Sequence, residues 1–406
     1  MTNPSSVLED ESGMDDRPVV ERPKHGLFER LYTGTGGFQI VAKRRMYYAI
    51  SLAFVVIAVV SIGVRGFTLG IDFAGGTRIQ VPVSAGVTTS SVADEYAKVL
   101  GHSPVSTQQI GNGTSASIEV RSDTLTDAQS QKLQTALVDT FHPKDAQGNI
   151  SRKAISIAEI SSTWGDQITH KAGWALFWFV LLTMVYIAIR FERDMAFASI
   201  ASLFFNLIVT AGLYSLVGFE VTPAAVIGLL TILGYVLYDN VVVFDKVEEN
   251  TRGVLHRNNR TYAEYANLAA NQTLMRSINT TIIGILPIVG MLVIAVWLLG
   301  VGTLKDLALV QLVGMIVGAY SSIFFAVPLL VSIKEKWGPV AEHTRKVKAK
   351  RAASAKARAT AAAAERAESA RVKAQGPVDM PEPRMTDAGA PVPGSRPAGK
   401  RPKRRS

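Results

Sequence analysis

The sequence predicts a polytopic α-helical membrane protein, with six membrane-spanning helices and one small α/β domain inserted between the first and the second. Three observations predict it. Hydrophobic residues make up 48% of the 406-residue chain and charged residues only 19%, too apolar a balance for one soluble domain. The apolar residues collect in windows of about 20 residues with almost no charge, the length a helix needs to cross a bilayer. Between the first two windows lies a long stretch in which hydrophobicity instead alternates, or recurs at helical spacing.

The windows run over 47–64, 172–189, 195–217, 223–244, 281–300 and 307–333. None resembles a cleaved signal peptide, so the first is expected to stay as an anchor. In the long insertion, "GGTRIQVPV" (75–83) alternates like a strand and "SVADEYAKVL" (91–100) has helical spacing. A short strand fits 106–110, "SASIEVRS" (115–122) alternates again, and "TDAQSQKLQTALVDTF" (126–141) is an amphipathic helix. "KAISIAEI" (153–160) closes the series. The order is βαββαβ, a ferredoxin-like arrangement. Further on, Thr222 as N-cap and Pro223 at the first helical position start the fourth span. "TYAE" (261–264) is a capping box that opens a short helix to about Met275, ahead of the fifth span.

Charge sets the orientation and the domain limits. Lys43, Arg44 and Arg45 precede the first span, and Arg190 and Arg193 lie between the second and third. Lys246, Arg252, Arg257 and Arg260 follow the fourth, and Lys334 and Lys336 the sixth. By the positive-inside rule both termini are cytoplasmic and the α/β domain is extracytoplasmic. The expected organisation is therefore a cytoplasmic N-terminal segment (1–45), a first transmembrane helix (46–64) and an extracytoplasmic domain (65–170). A five-helix membrane region (171–333) and a basic, largely disordered cytoplasmic tail (334–406) follow. The tail holds 19 Lys/Arg against 7 Asp/Glu, whereas the whole chain carries a net charge of +10. Its Ala/Lys/Arg-rich first part suits an isolated helix and its Pro/Gly-rich end suits disorder. Such charge fits anionic lipid headgroups or ribosomal RNA, or a merely solubilising end.

Several chemistries are excluded. The chain has no cysteine, so there is no disulfide, thiolate nucleophile or thiolate metal site. The 6 histidines lie outside the spans and form no cluster, and no zinc-ligand spacing, hydrolase elbow or dinucleotide fingerprint appears. Neither enzyme activity, a metal nor a cofactor is expected.

Asp239 is the residue that asks for a function. It stands in "LGYVLYDNVVVFDKVEEN" (233–250), inside the apolar part of the fourth span. An ionisable group at a helix centre costs roughly +2.5 to +3.5 kcal/mol, and such groups face a bundle interior and mark proton or ion paths. Asp245 already supplies the interfacial charge. Gly228, on the same helix face, would admit a close neighbour. Arg276, in "NQTLMRSINTT" (271–281), is the expected charge partner, with Ser277, Asn279, Thr280 and Thr281 lining a wet path beside it. Asn206, which cannot titrate, is expected to make a helix–helix hydrogen bond. Gly314, Gly318, Ser321 and Ser322 form a small-residue seam expected to serve packing alone.

The second sharp string is "GIDFAGGT" (70–77), where the first span hands over to the first strand. It lacks the ending of a phosphate-binding loop and reads as a turn that glycine permits.

Together these strings resemble the SecF family of protein-export membrane subunits, within the resistance–nodulation–division (RND) superfamily of transporters. They are "GIDFAGGT", "LLTILGYVLYDNVVVFDKVEEN", "NQTLMRS" and "GAYSSIFFAVPLL", and the match runs from about Tyr47 to Ile333, leaving both tails outside. The resemblance implies half of an RND-type bundle that pairs with a SecD-like subunit beside the SecYEG channel. It implies use of the proton-motive force to promote movement of unfolded preproteins across the cytoplasmic membrane. Asp239 and Arg276 then match the family's intramembrane Asp and Arg, tied to proton flow. Gly70, Asp72, Phe73, Gly75, Gly76 and Thr77 would couple the helices to the external domain. Two positions depart from the common pattern: Phe205-Asn206 stands where many members have His-Asp, and Asn240 where Thr or Ser is common. Asn206, Asn240 and Thr280 are kept as candidate lining of the path. Two alternatives remain: a subunit of a small-molecule RND exporter, for which the external domain is too small, and a scaffold of the translocon that uses no energy.

Overall fold

The computed structural model describes residues 38–83, 86–145, 148–257, 259–336 and 338–374. The outer parts of the two predicted tails, 1–37 and 375–406, lie outside the described residues. Six helices are long and apolar enough to cross a membrane: Arg44–Arg65, Ser162–Arg190, Arg193–Val217, Pro223–His256, Tyr262–Leu298 and Leu304–Lys336. Five of them contain a predicted window whole, and Tyr262–Leu298 covers the fifth window, 281–300, as far as residue 298.

In chain order, α1 (Arg44–Arg65) leads through β1 (Thr68–Leu69) and the single-turn α2 (Ile71–Ala74) into a sheet module. The module comprises β2 (Gly76–Pro82), α3 (Thr89–Leu100), β3 (Ser106–Ile110), β4 (Ser117–Ser122), α4 (Asp127–Phe141) and β5 (Ser156–Ile160). Then follow α5 (Ser162–Arg190), α6 (Arg193–Val217), β6 (Glu220–Val221), α7 (Pro223–Thr251), α8 (Tyr262–Gly290), α9 (Thr303–Tyr320), α10 (Val327–Lys336) and α11 (Pro339–Ala374). A π-helical stretch, Met291–Leu298, extends α8, and a second, Ser321–Ala326, joins α9 to α10.

The module's strands lie in the order β3-β4-β2-β5, every pair antiparallel, which is the ferredoxin-like order that βαββαβ predicts. Alternation decides the faces. Ile79 and Val81 of β2 and Ile118 and Val120 of β4 turn toward Val92 and Tyr96 of α3 and Leu133 and Leu137 of α4, forming the module's core. Thr88 and Thr126 each close a capping box at the start of these helices. Burial holds the Tyr96 phenol above the ordinary tyrosine range.

In the bundle, α7 packs against α9, α8 and α6, and α1 lies along α6. Lipid tails are as apolar as leucine, so close packing through small residues holds such helices together. Gly228 does admit its neighbour: Val310 of α9 occupies the space a side chain there would need. Gly314 and Gly318 of α9 likewise seat Ile232 and Val236 of α7.

The structure corrects one element. The predicted short helix from "TYAE" and the fifth span are a single helix, α8, capped by Thr261 and continuous past Met275. Arg276, Ser277, Asn279 and Thr280 lower the hydropathy enough to end an apolar window, yet none of them breaks a helix.

The chain divides into two compact units, Met1–Lys348 and Ala349–Ser406. Described residues of the second, 349–374, continue α11 and are exposed up to Arg371.

Candidate functional site

Asp239 lies on the buried face of α7, 5% exposed. Two hydroxyls hold its Oδ2. Ser277 of α8 donates at 2.6 Å, and Ser322, from the π-helical turn between α9 and α10, donates a second hydrogen bond. Ser277 is 2% exposed and Ser322 is fully buried. Three helices thus meet at one carboxylate. A π-helical turn shifts the register of the residues that follow it and is frequent at functional sites; here it carries Ser322.

The expected Arg276 partner is placed differently. Its guanidinium donates to the Tyr238 hydroxyl at 3.2 Å and makes no ion pair with Asp239 among the described residues. The reason is helical geometry. Asp239 and Ser277 occupy the buried faces of α7 and α8, and their sequence neighbours Tyr238 and Arg276 fall on the exposed side. The result is two adjacent rungs between the helices, Asp239–Ser277 inside and Tyr238–Arg276 outside.

Ser322 is what sequence reasoning missed. The seam of Gly314, Gly318, Ser321 and Ser322 is a packing surface, and it also supplies a ligand to the carboxylate. The signal lay in two adjacent hydroxyls within an apolar span, which need partners there.

The other polar positions separate into paired and unpaired groups. Asn206 donates from Nδ2 to the Gly314 carbonyl at 3.0 Å, the helix–helix bond expected of it. Thr280 and Thr281 both return their hydroxyls to the Ser277 carbonyl, at 3.1 and 2.8 Å, and do not face the carboxylate's hydrogen bonds. Asn240 is 1% exposed, and neither of its amide atoms has a protein partner among the described residues. The same holds for Asn206 Oδ1 and for the hydroxyls of Ser199, Ser202 and Thr210, which recur with Asn206 along one face of α6.

The glycine string 70–77 knits four elements together. The Gly70 N–H donates to the Val221 carbonyl at 2.9 Å, and β1 pairs in parallel with β6 just ahead of α7. Asp72 pairs with Arg78 at 3.4 Å, and Phe73, 6% exposed, lies where α2 packs on α5. Gly75 (φ +76°) brings the backbone onto Ser162 at the start of α5. Gly76 (φ +138°) lets it approach the end of β4, where an added Cβ would lie 2.5 Å from the Ser122 carbonyl oxygen. Thr77 is fully buried and accepts the Leu125 N–H at 3.1 Å.

Comparison with known proteins places these features. The model "Protein export membrane protein SecD/SecF, C-terminal" matches residues 142–336, which include Asp239, Arg276, Ser277 and Ser322. The "SecD/SecF GG Motif" model matches residues 60–87, which include Gly75 and Gly76. The protein translocase subunit SecF of Mycobacterium leprae is 53% identical over 360 residues, covering 86% of this chain and 76% of the relative. This chain belongs to the SecF family. The SecF subunit of Streptomyces coelicolor is 38% identical over 386 residues, 92% of this chain and 97% of its own. The crystal structure of SecDF from Thermus thermophilus, described as a translocon-associated membrane protein, matches with a TM-score of 0.62 at 27% identity. That match covers 74% of this chain and 39% of the SecDF chain, so the SecF-family chain spans well under half of the longer one. SecF membership and the six apolar helices make this a multi-pass protein of the cytoplasmic membrane.

Proposed function

We propose that this chain, with a SecD-like subunit beside the SecYEG channel, uses the proton-motive force to draw unfolded preproteins across the cytoplasmic membrane. One observation carries the proposal: a buried carboxylate inside a membrane helix, held by hydroxyls from two other helices. A serine hydroxyl donates to an ionised carboxylate and can equally accept from a protonated one, so the cradle suits both states of Asp239. A fixed guanidinium in contact would favour the charged form alone. Arg276, one residue outside the cradle on an exposed helix face, sets the local field and meets the SecD-like partner. The unpaired polar groups of Asn206, Asn240, Ser199, Ser202 and Thr210 line the proton's route, with Thr280 at its edge. Translocation into inverted vesicles with and without an uncoupler tests the proposal, and Asp239→Asn is the decisive substitution.

In this proposal both termini are cytoplasmic and the sheet module lies outside. The chain is free of cysteine, so introduced cysteines report topology cleanly. Asp123, exposed after β4, and Leu255, 46% exposed between α7 and α8, are suitable positions. An impermeant maleimide on intact cells is expected to label Asp123→Cys and to spare Leu255→Cys. The reverse pattern would overturn the orientation.

The tail is assigned to the anionic membrane surface, where each Lys or Arg contributes about 1 kcal/mol. Deleting 349–406 is expected to weaken the adhesion of the solubilised complex to phosphatidylglycerol vesicles, with the lost part being the part that salt removes. Adhesion unchanged by the deletion would leave the tail a solubilising end, and adhesion to ribosomes alone would assign it to RNA.

A further inference from the structure

Two helices that enclose Asp239 begin at the same place. The fourth-span helix α7 starts at Thr222 and Pro223, and Asp239 follows about 25 Å along it. The sixth-span helix α9 starts at Thr303, carries Asp306 in its first turn and ends at the π-helical turn that holds Ser322. Both starts lie under the face of the sheet turned away from the module's core.

That face carries charge. Arg121 of β4 is 7% exposed, and its guanidinium donates to Glu119 at 2.7 Å from Nε and 2.6 Å from a terminal nitrogen. A terminal nitrogen also pairs with Glu220 of β6, two residues ahead of the α7 cap. Glu119, 1% exposed, accepts from Gln108 of β3 at 3.2 Å, and Gln108 accepts from Lys305, in the first turn of α9, at 2.8 Å. Asp72, Arg78, Glu119, Arg121, Thr222 and Asp306 surround a cavity of about 210 Å³ between the sheet and the helix starts.

Buried charges of this kind stay where their partners are, because a charge that loses its partner in the interior is strongly unfavourable. Arg121 is therefore fixed to the start of α7 through Glu220. Through Glu119, Gln108 and Lys305 it is fixed to the start of α9. Sliding of α7 against α9 has to carry Arg121, and with it β4, or break this network. Coupling through a contiguous polar network needs an element with two arrangements, and we take the α7–α9 pair closed on Asp239 to be that element.

We propose that Arg121 is a positioning residue that transmits the protonation state of Asp239, by way of α7 and α9, to the sheet module. The inference rests on the proton-carrying role of Asp239, and its test is separate from the test of that role. Spin labels on Asp139→Cys, exposed on α4, and Ile189→Cys, exposed at the far end of α5, report the module's position relative to the bundle. They are read by pulsed dipolar spectroscopy in the complete membrane complex. With Arg121 present, Asp239→Asn, which fixes the neutral form, is expected to shift the distance distribution. With Arg121→Gln the distributions for Asp239 and Asn at that position are expected to coincide. Arg121→Lys, which keeps the charge but not the fork, is expected to retain less than half of the shift, and it is the variant to read if Arg121→Gln fails to assemble. An undiminished shift in the Arg121→Gln and Arg121→Lys variants would overturn the assignment, as would no shift in the parent. Uncoupler-sensitive translocation retained by Asp239→Asn would instead remove the proton-carrying role, while the distance shift would still report the mechanical link.

Discussion

Asp239→Asn is expected to abolish the uncoupler-sensitive part of preprotein translocation and to leave ATP-driven translocation running. The substitution keeps the size of the side chain and an oxygen that the Ser277 and Ser322 hydroxyls can still address. The cost to the fold is then on the order of one ordinary hydrogen bond, about 1 kcal/mol, and is offset by the easier burial of a neutral amide. What the amide cannot do is gain or lose a proton. Moving one charge through 100 mV is worth roughly 2.3 kcal/mol, about 50-fold in a two-state equilibrium, and that bias disappears with the carboxylate. Arg276→Ala is expected to change translocation in the same direction and by less, because the guanidinium touches Tyr238 and not the carboxylate. Full uncoupler sensitivity in Asp239→Asn would favour a scaffold that uses no energy.

Gly76→Ala is expected to damage the sheet module more than any change of one methyl group at its open glycines. Gly76 has φ +138°, a conformation that side chains rarely adopt, and an added Cβ would lie 2.5 Å from the Ser122 carbonyl oxygen. That oxygen cannot retreat, because Ser122 is held opposite Thr77 in the β4–β2 ladder. Backbone strain alone is worth about 1–3 kcal/mol, and the overlap adds to it. Gly101, the left-handed cap of α3 at φ +83°, meets nothing within 4 Å, so Gly101→Ala is the control and should cost only about 1 kcal/mol. Thermal unfolding of the two variants compares them directly. A melting temperature for Gly76→Ala no lower than that for Gly101→Ala would contradict the role assigned to the close approach.

How much of this was legible in the sequence depended on whether a signal was local. The spans were legible because hydropathy accumulates along one helix. The βαββαβ order was legible because alternation and capping residues such as Thr126 act within a few positions. Asp239 announced itself by the cost of its placement. Its partners did not, because which residue of α8 or of the α9–α10 helix faces Asp239 depends on helix rotation. The π-helical turn at Ser321–Ala326 alters that rotation with no Pro or Gly inside it to give warning. Glu119 and Arg121 show the same limit. They stand two apart on a strand opposite Ile118 and Val120, a pattern that normally means one buried and one solvated face. Here the second face is covered by the starts of α7 and α9, and every residue from Ile118 to Ser122 is buried. A covering element distant in sequence leaves no trace in the periodicity of the strand it covers.

The central claim is that a proton comes and goes at Asp239. Infrared difference spectroscopy of the complete complex in a bilayer tests it most directly, by stepping the pH and following the carboxylic acid C=O stretch, which only a protonated carboxyl shows. The account predicts a band that rises on acidification, falls reversibly on return and is missing from the Asp239→Asn complex. A band that is present and unchanged in Asp239→Asn would contradict it, because the proton would then be exchanging at another carboxyl.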